Sequence, residues 1–216
     1  MMRLIYDCDI LKCIPPQGVA TSKLESDDCQ LDSRYQYCKG WSDFNNLGIS
    51  VIAFWNCDTY ESAFFTDIDH KKKAGNIVYF SRFIDRKRGF YELELWGFNS
   101  KNFNDKLCQA TGLDIVSDRD LLSLVKKSAY GSEDEQNIPR GYDYSLGAIA
   151  SINKLGGIKS RKVTVKLWQY EDYDYVIDCC LKRARVSAVI LRKLENGKLI
   201  DPNTGQYIPR PRATAS

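Results

Sequence analysis

Two aspartates are the first residues in this chain whose type and spacing suggest chemistry. In RLIYDCDILKCI (Arg3 to Ile14) an apolar run meets Asp7 and Asp9, two positions apart. On a strand, that spacing puts both carboxylates on one face, which is costly unless a cation or a proton lies between them. The plainer alternative is a solvated strand end carrying two harmless acids. Other reactive types are spread thinly. Eight cysteines (Cys8, Cys13, Cys29, Cys38, Cys57, Cys108, Cys179, Cys180) contain no CxxC, and His70 is the sole histidine. Free, partly buried thiols are therefore expected in preference to a zinc site.

The elements that would position the acids follow from periodicity. The first segment reads as a buried central strand. Residues 14–46, rich in turn-forming types, read as a loop excursion. LGISVIAFW (Leu47 to Trp55) and ESAFFTD (Glu61 to Asp67) are two further strands, and with the first they make an antiparallel meander. NIVYFSRFIDRK predicts a helix from Asn76, with Ile77, Phe80 and Phe83/Ile84 at helical spacing, and YELELWGFNS a fourth strand. After a short helix around Phe103, Leu107 and Cys108, with Ser100 as N-cap and Gly112 as stop, the chain becomes mainly helical: DLLSLVKKSA, SLGAIASINKLG, and a long segment from about Glu171 to Leu194. The expected fold is α/β, a mixed sheet flanked by helices. It forms a single domain over 1–205, and the turn-rich residues 206–216 are expected to be a flexible tail.

Four segments in this order resemble the DEDD (DnaQ-like) 3′–5′ exonucleases of the RNase H-like superfamily: YDCDI, LGISVIAFW, GFNSKNFNDKL and KLWQYEDYDYVIDCCLKRARVS. The resemblance spans roughly residues 3 to 205 and implies an RNase H-like sheet, with four carboxylates holding two divalent cations, Mg²⁺ or Mn²⁺, for phosphodiester hydrolysis. Carried over position by position, the motifs are degenerate. Asp7 and Asp9 are retained acids, the second shorter than the glutamate expected there. The second motif, normally GFNSxxFD, has Asn104 in place of its aspartate, and Asp105 lies one helical step, about 100°, away. The third motif has Cys179 where a tyrosine or histidine base belongs and Arg183 where the last aspartate belongs. Asp7 and Asp9 would then hold a metal weakly, if at all.

Periodicity gives an independent view of Arg183. At about 100° per residue, Ile177, Cys180, Leu181, Ala184, Ala188 and Leu191 form an apolar stripe, while Asp178, Lys182, Arg185, Arg192 and Lys193 face water. Arg183 falls on the uncharged flank with Val176, Cys179, Val186 and Ile190. An arginine at the edge of a core needs a partner. Either it bridges Asp7 and Asp9 with its planar donors, standing in for a metal, or it snorkels to water along the helix.

The totals are those of a folded chain: 44% hydrophobic, 27% charged, 12% aromatic, with a net charge of +3 too mild to argue for a dedicated polyanion binder. No apolar run reaches the roughly 20 residues of a membrane span, and the acidic N-terminus is unlike a signal peptide, so a cytoplasmic protein without membrane contact is expected. Three functions compete: a catalytically degenerate module for nucleic-acid binding or assembly, an active metal-dependent exonuclease, and a structural protein of a phage or multiprotein complex. Partners are a single-stranded or 3′-terminal nucleic acid, or another protein. Candidate nucleic-acid contacts are Asn99, Ser100, Lys101 and Trp96, with Trp41 and Trp168 as further stacking candidates. Lys71–Lys73, Arg86–Arg88, Lys159–Lys166 and Lys182–Arg185 could form a basic rim.

Overall fold

A computed structural model describes residues 1–15, 34–68, 75–131 and 138–211. The central strand is β1 (Met2–Ile10), buried without interruption from Leu4 to Ile10, as a strand covered on both faces must be. It pairs antiparallel with β2 (Ile49–Asn56), which pairs antiparallel with β3 (Ser62–Phe65). On its other edge β1 runs parallel to β4 (Leu93–Gly97), which is followed by the two-residue β5 (Arg119–Asp120). The order β3-β2-β1-β4-β5, antiparallel on one side of β1 and parallel on the other, is the expected helix-flanked mixed sheet.

Alternation along β1 sorts the core into two sides. Leu4, Tyr6, Cys8 and Ile10 pack on Phe80 and Ile84 of α2 (Val78–Phe90) and on Leu107 and Cys108 of α3 (Asn104–Ala110). The opposite side, which carries Ile5, Asp7 and Asp9, is covered by α4 (Leu121–Tyr130), α5 (Leu146–Ile152), α6 (Arg161–Gln169) and the 23-residue α7 (Tyr173–Glu195). Val176, Ile177 and Cys180 of α7 lie against Val51 and Ala53 of β2, with Trp168 of α6 in the same cluster. The apolar stripe and the solvent face read from the sequence of α7 both hold. α7 ends in paired bonds from Gly197 N to Leu194 O (2.9 Å) and Lys198 N to Lys193 O (2.7 Å), with Gly197 at φ 64° supplying the left-handed turn.

Several expectations need correction. α6 is a helix that the pattern did not predict; RKVTVKLWQ contains two valines and a threonine, β-branched types with low helix propensity. The described part of the excursion 14–46 is an ordered loop, as expected: Cys13 bridges Tyr37, Cys38 is buried, and a short α1 (Phe44–Leu47) closes it. Within the expected tail, Tyr207 bridges Ile200, and Ile208 is buried while its amide donates to Leu199 O. His70, Lys71–Lys73 and Cys29 lie outside the described residues. The seven described cysteines are free and buried.

Gly97, which ends β4, is held to glycine by packing. A Cβ there would stand 2.4 Å from Ser100 Cβ and 3.4 Å from the Tyr6 ring. Gly89 in α2 has nothing within 4 Å. Gly97→Ala is expected to cost about 1–3 kcal/mol as overpacking, whereas Gly89→Ala should stabilise by about 0.5–1 kcal/mol through helix propensity. Urea denaturation of both variants checks the contrast in sign.

Candidate functional site

Asp7 and Asp9 leave β1 on the side covered by α7, just before a register shift at Asp9/Ile10 that ends regular pairing with β2. Such irregularities commonly re-aim side chains beside functional sites. Both acids are buried, at 5% and 0% exposure. Arg183 of α7 turns inward, at 3% exposure, and bridges them: Nε donates to Asp7 Oδ2 at 2.5 Å and Nη2 to Asp9 Oδ2 at 2.7 Å. Its Nη1 reaches Lys159 O at 3.4 Å.

A second guanidinium completes the site. Arg161, the first residue of α6, donates from Nη2 to Asp7 Oδ1 and to Asn104 Oδ1 (3.0 Å), and from Nε to Cys8 O (2.7 Å). Its plane lies over the Phe103 ring, 4.7 Å from the centroid. One turn further along α6, Thr164 Oγ1 donates to Asp9 Oδ1 at 2.7 Å, and the Ile10 amide adds a bond to the same oxygen at 3.2 Å. Every carboxylate oxygen of Asp7 and Asp9 therefore accepts a protein hydrogen bond.

The charges of Asp7, Asp9, Arg161 and Arg183 cancel, which is what makes their burial tolerable. Burial alone would raise the Asp7 pKa, but the Arg161 and Arg183 charges outweigh it and hold the carboxyl below its usual range. Burial works against the charged form of Arg183 as well, and Asp9 and Asp7 overcome it, driving its pKa well above the ordinary value. A pair of divalent cations does not fit this donor set. Each would need anionic oxygens, but three of the four on Asp7 and Asp9 face guanidinium groups and the fourth accepts from Thr164 and the Ile10 amide. Among the described residues, no group of three or more His, Cys, Asp or Glu is placed to hold a metal ion.

The remaining positions divide. Asn104 joins the site through Oδ1, while its buried Nδ2 finds no hydrogen-bond partner of good geometry. Asp105 points away, accepting from Tyr6 Oη and from the Ser117 amide (3.2 Å) and hydroxyl (2.8 Å). Asp178 is exposed on the solvent face. Cys179 is buried, and burial raises its thiol pKa. Asn99, at φ 53°, lines the cleft above the acids. Ser100 is fully buried against Ser117, so it shapes the loop rather than facing the cleft, and Lys101 is exposed.

Trp96 needs correction as a stacking candidate. It is 7% exposed, packs in the core with Ile5 and Leu121, and donates to Glu94 at 2.9 Å. Trp168 is also core. Trp41 is the tryptophan that lines the cleft.

That cleft has a volume of about 1020 Å³. Its walls carry Trp41, Phe44, Phe98, Phe103 and Tyr142, with Lys106, Arg140 and Lys159 among its cations, and Asp7 is its single carboxylate among the described residues. The expected basic rim is therefore only partly here. Arg88 pairs with Asp118 elsewhere, and Arg185 lies over Trp55. Asp120, outside the sequence-based expectations, fixes one wall: it caps α4 at Leu122 N (2.9 Å) and Ser123 N (3.2 Å), and accepts from Asn99 N (3.2 Å) and Lys101 N (3.1 Å). Arg161 and Thr164 were also missed. Their signal was the i, i+3, i+4, i+7 spacing of Arg161, Thr164, Val165 and Trp168, which places an arginine on a buried face.

No protein-family model matches the chain, and no curated protein matches it. Among solved structures, the chain is similar to the family B DNA polymerase from the hyperthermophilic archaeon Pyrobaculum calidifontis, with a TM-score of 0.55 and 12% identity over 96% of this chain. The chain spans 26% of the length of that polymerase. At that identity the likeness establishes the fold alone.

Removing Arg183 leaves two buried carboxylates with too little compensation, so Arg183→Met should destabilise by about 3–5 kcal/mol. Adding Asp7→Asn and Asp9→Asn to that variant should restore part of the loss, measured by urea denaturation. The pH dependence has a definite sign. Because the folded-state pKa of Asp7 is lowered, its stabilisation is complete above the unfolded value of about 3.9 and is lost as pH falls through the folded value. The stability gap between the native chain and Asp7→Asn should therefore narrow on acidification below about pH 4.

Proposed function

We propose that this protein is a catalytically degenerate relative of the 3′–5′ exonucleases that binds single-stranded nucleic acid without cleaving it. The observation that carries this reading is the occupation of all four carboxylate oxygens of Asp7 and Asp9 by protein donors, two of them guanidinium groups. Metal-dependent hydrolysis needs those oxygens for cations that activate water. A guanidinium has no acceptor and stays protonated, so it supplies charge but no route to hydroxide. Cys179 offers no substitute base, being a buried thiol whose ionisation burial opposes. Binding is supported by the cleft, in which aromatic walls and cations coexist, the combination that holds single strands by stacking and phosphate contacts.

An active Mg²⁺- or Mn²⁺-dependent exonuclease would require Arg161 and Arg183 to leave the acids, exposing a buried charged pair. An assembly role would have to use exposed residues such as Val78 and Tyr79 at the start of α2 and Phe90 and Tyr91 at its end, on the other side of the sheet.

The test is incubation of a 5′-labelled single strand with Mg²⁺ or Mn²⁺, with fluorescence anisotropy in parallel. No laddering is expected, together with binding that weakens steeply with salt as phosphate contacts release counterions. Metal-dependent laddering abolished by Asp7→Ala would overturn the reading.

A further inference from the structure

We propose that the cleft floor at Arg161 is a binding site for a phosphomonoester, the terminal phosphate of a nucleic-acid strand; this rests on the reading of the cleft as a nucleic-acid site and specifies what that site selects. Arg161 is held on one side only. Nε and Nη2 are committed to Cys8 O, Asp7 and Asn104, and the ring of Phe103 fixes the plane. Nη1 makes no hydrogen bond among the described residues, and the side chain, 21% exposed, lines the cleft. This is a rigid, partly desolvated donor with one edge unspent, a geometry suited to an oxyanion.

Its surroundings favour a doubly charged group. The Arg161–Arg183–Asp7–Asp9 network is neutral as a unit, so the field at the floor is set by the neighbouring cations. Lys159, two positions before Arg161, is exposed and lines the cleft, and its side chain makes no ion pair among the described residues. Ser160 lies between them in the lining, and its hydroxyl makes no capping bond to α6. An internal phosphodiester brings one charge and two free oxygens to such a floor. A terminal phosphate brings about −1.5 to −2 charges and three acceptor oxygens at pH 7, matching the Arg161 Nη1, Lys159 and Ser160 donors. The volume, about 1020 Å³, is that of a site for a small ligand or the last few nucleotides rather than a long strand.

The experiment compares anisotropy for labelled oligothymidylates of one length carrying a 3′-phosphate, a 5′-phosphate or hydroxyls at both ends, with inorganic phosphate as competitor. One phosphorylated end should bind about tenfold tighter than the hydroxyl strand, roughly the worth of one charge-assisted contact. Whichever end shows the gain identifies the polarity in the cleft. Lys159→Ala, an exposed change that leaves the buried network intact, should abolish most of the preference while leaving the melting temperature unchanged. Arg161→Lys keeps the charge and loses the Nη1 edge, so it should also abolish most of the preference, but with a lower melting temperature because the contacts to Cys8 O and Asn104 go with it. Equal affinity for all three strands overturns the inference while leaving the nucleic-acid reading intact. Failure of any strand to bind overturns both.

Discussion

The bridge from Arg183 to Asp7 and Asp9 constrains the rest of the molecule. Two carboxylates on one face of a buried central strand are prohibitive without compensation, so β1, α6 and α7 must converge to within hydrogen-bond distance. The requirement also fixes register. A slip of one residue along β1 would carry both acids to the face packed on Phe80 and Leu107, and would turn Tyr6 and Cys8 toward Arg183. An arrangement that tolerates no slip is a strong specifier of one fold, even where the ion pairs contribute little net stability.

The same network shapes the cleft. Arg161 neutralises Asp7 from one side while resting on Phe103, so the residue that balances the buried charge also sets the floor. The walls depend on two other acids used structurally. Asp105 ties α3 to Tyr6 and Ser117, and Asp120 joins the loop at Asn99 to the start of α4. Asp105 is next to Asn104 in the chain and Asp120 accepts from the Asn99 amide, yet both serve backbone and hydroxyl donors.

How much of this was legible in sequence depended on the length and regularity of each signal. The meander, β4 and α7 were readable because their periods persist for enough residues to separate a buried face from a wet one, and Arg183 stood out as a charge on the wrong stripe of a 23-residue helix. Arg161 did not, because α6 is nine residues of mixed propensity and its arginine sat among Lys159, Lys162 and Lys166, where charge looks like a solvated face. Trp96 shows the opposite error. Its place beside GFNS suggested the cleft, but on a strand each step reverses the side chain, and Trp96 points into the core. Ile208 was hidden by flanking turn residues and is buried beside the short bridge from Ile200 to Tyr207, a pairing that composition does not encode.

The likeness to a polymerase at 12% identity conveys the fold alone, and a shared fold leaves the chemistry at the strand ends free to differ. On the proposed reading, that change is one of charge carrier. A divalent cation and a guanidinium can both attract a phosphate, but a cation also polarises water and releases a proton from it, whereas a guanidinium only donates hydrogen bonds from fixed directions. Replacing the first with the second keeps the attraction for the strand and removes the step that breaks it. On that reading the aromatic walls and the cations among them serve a cleft that needs no turnover, since occupancy itself would be the output.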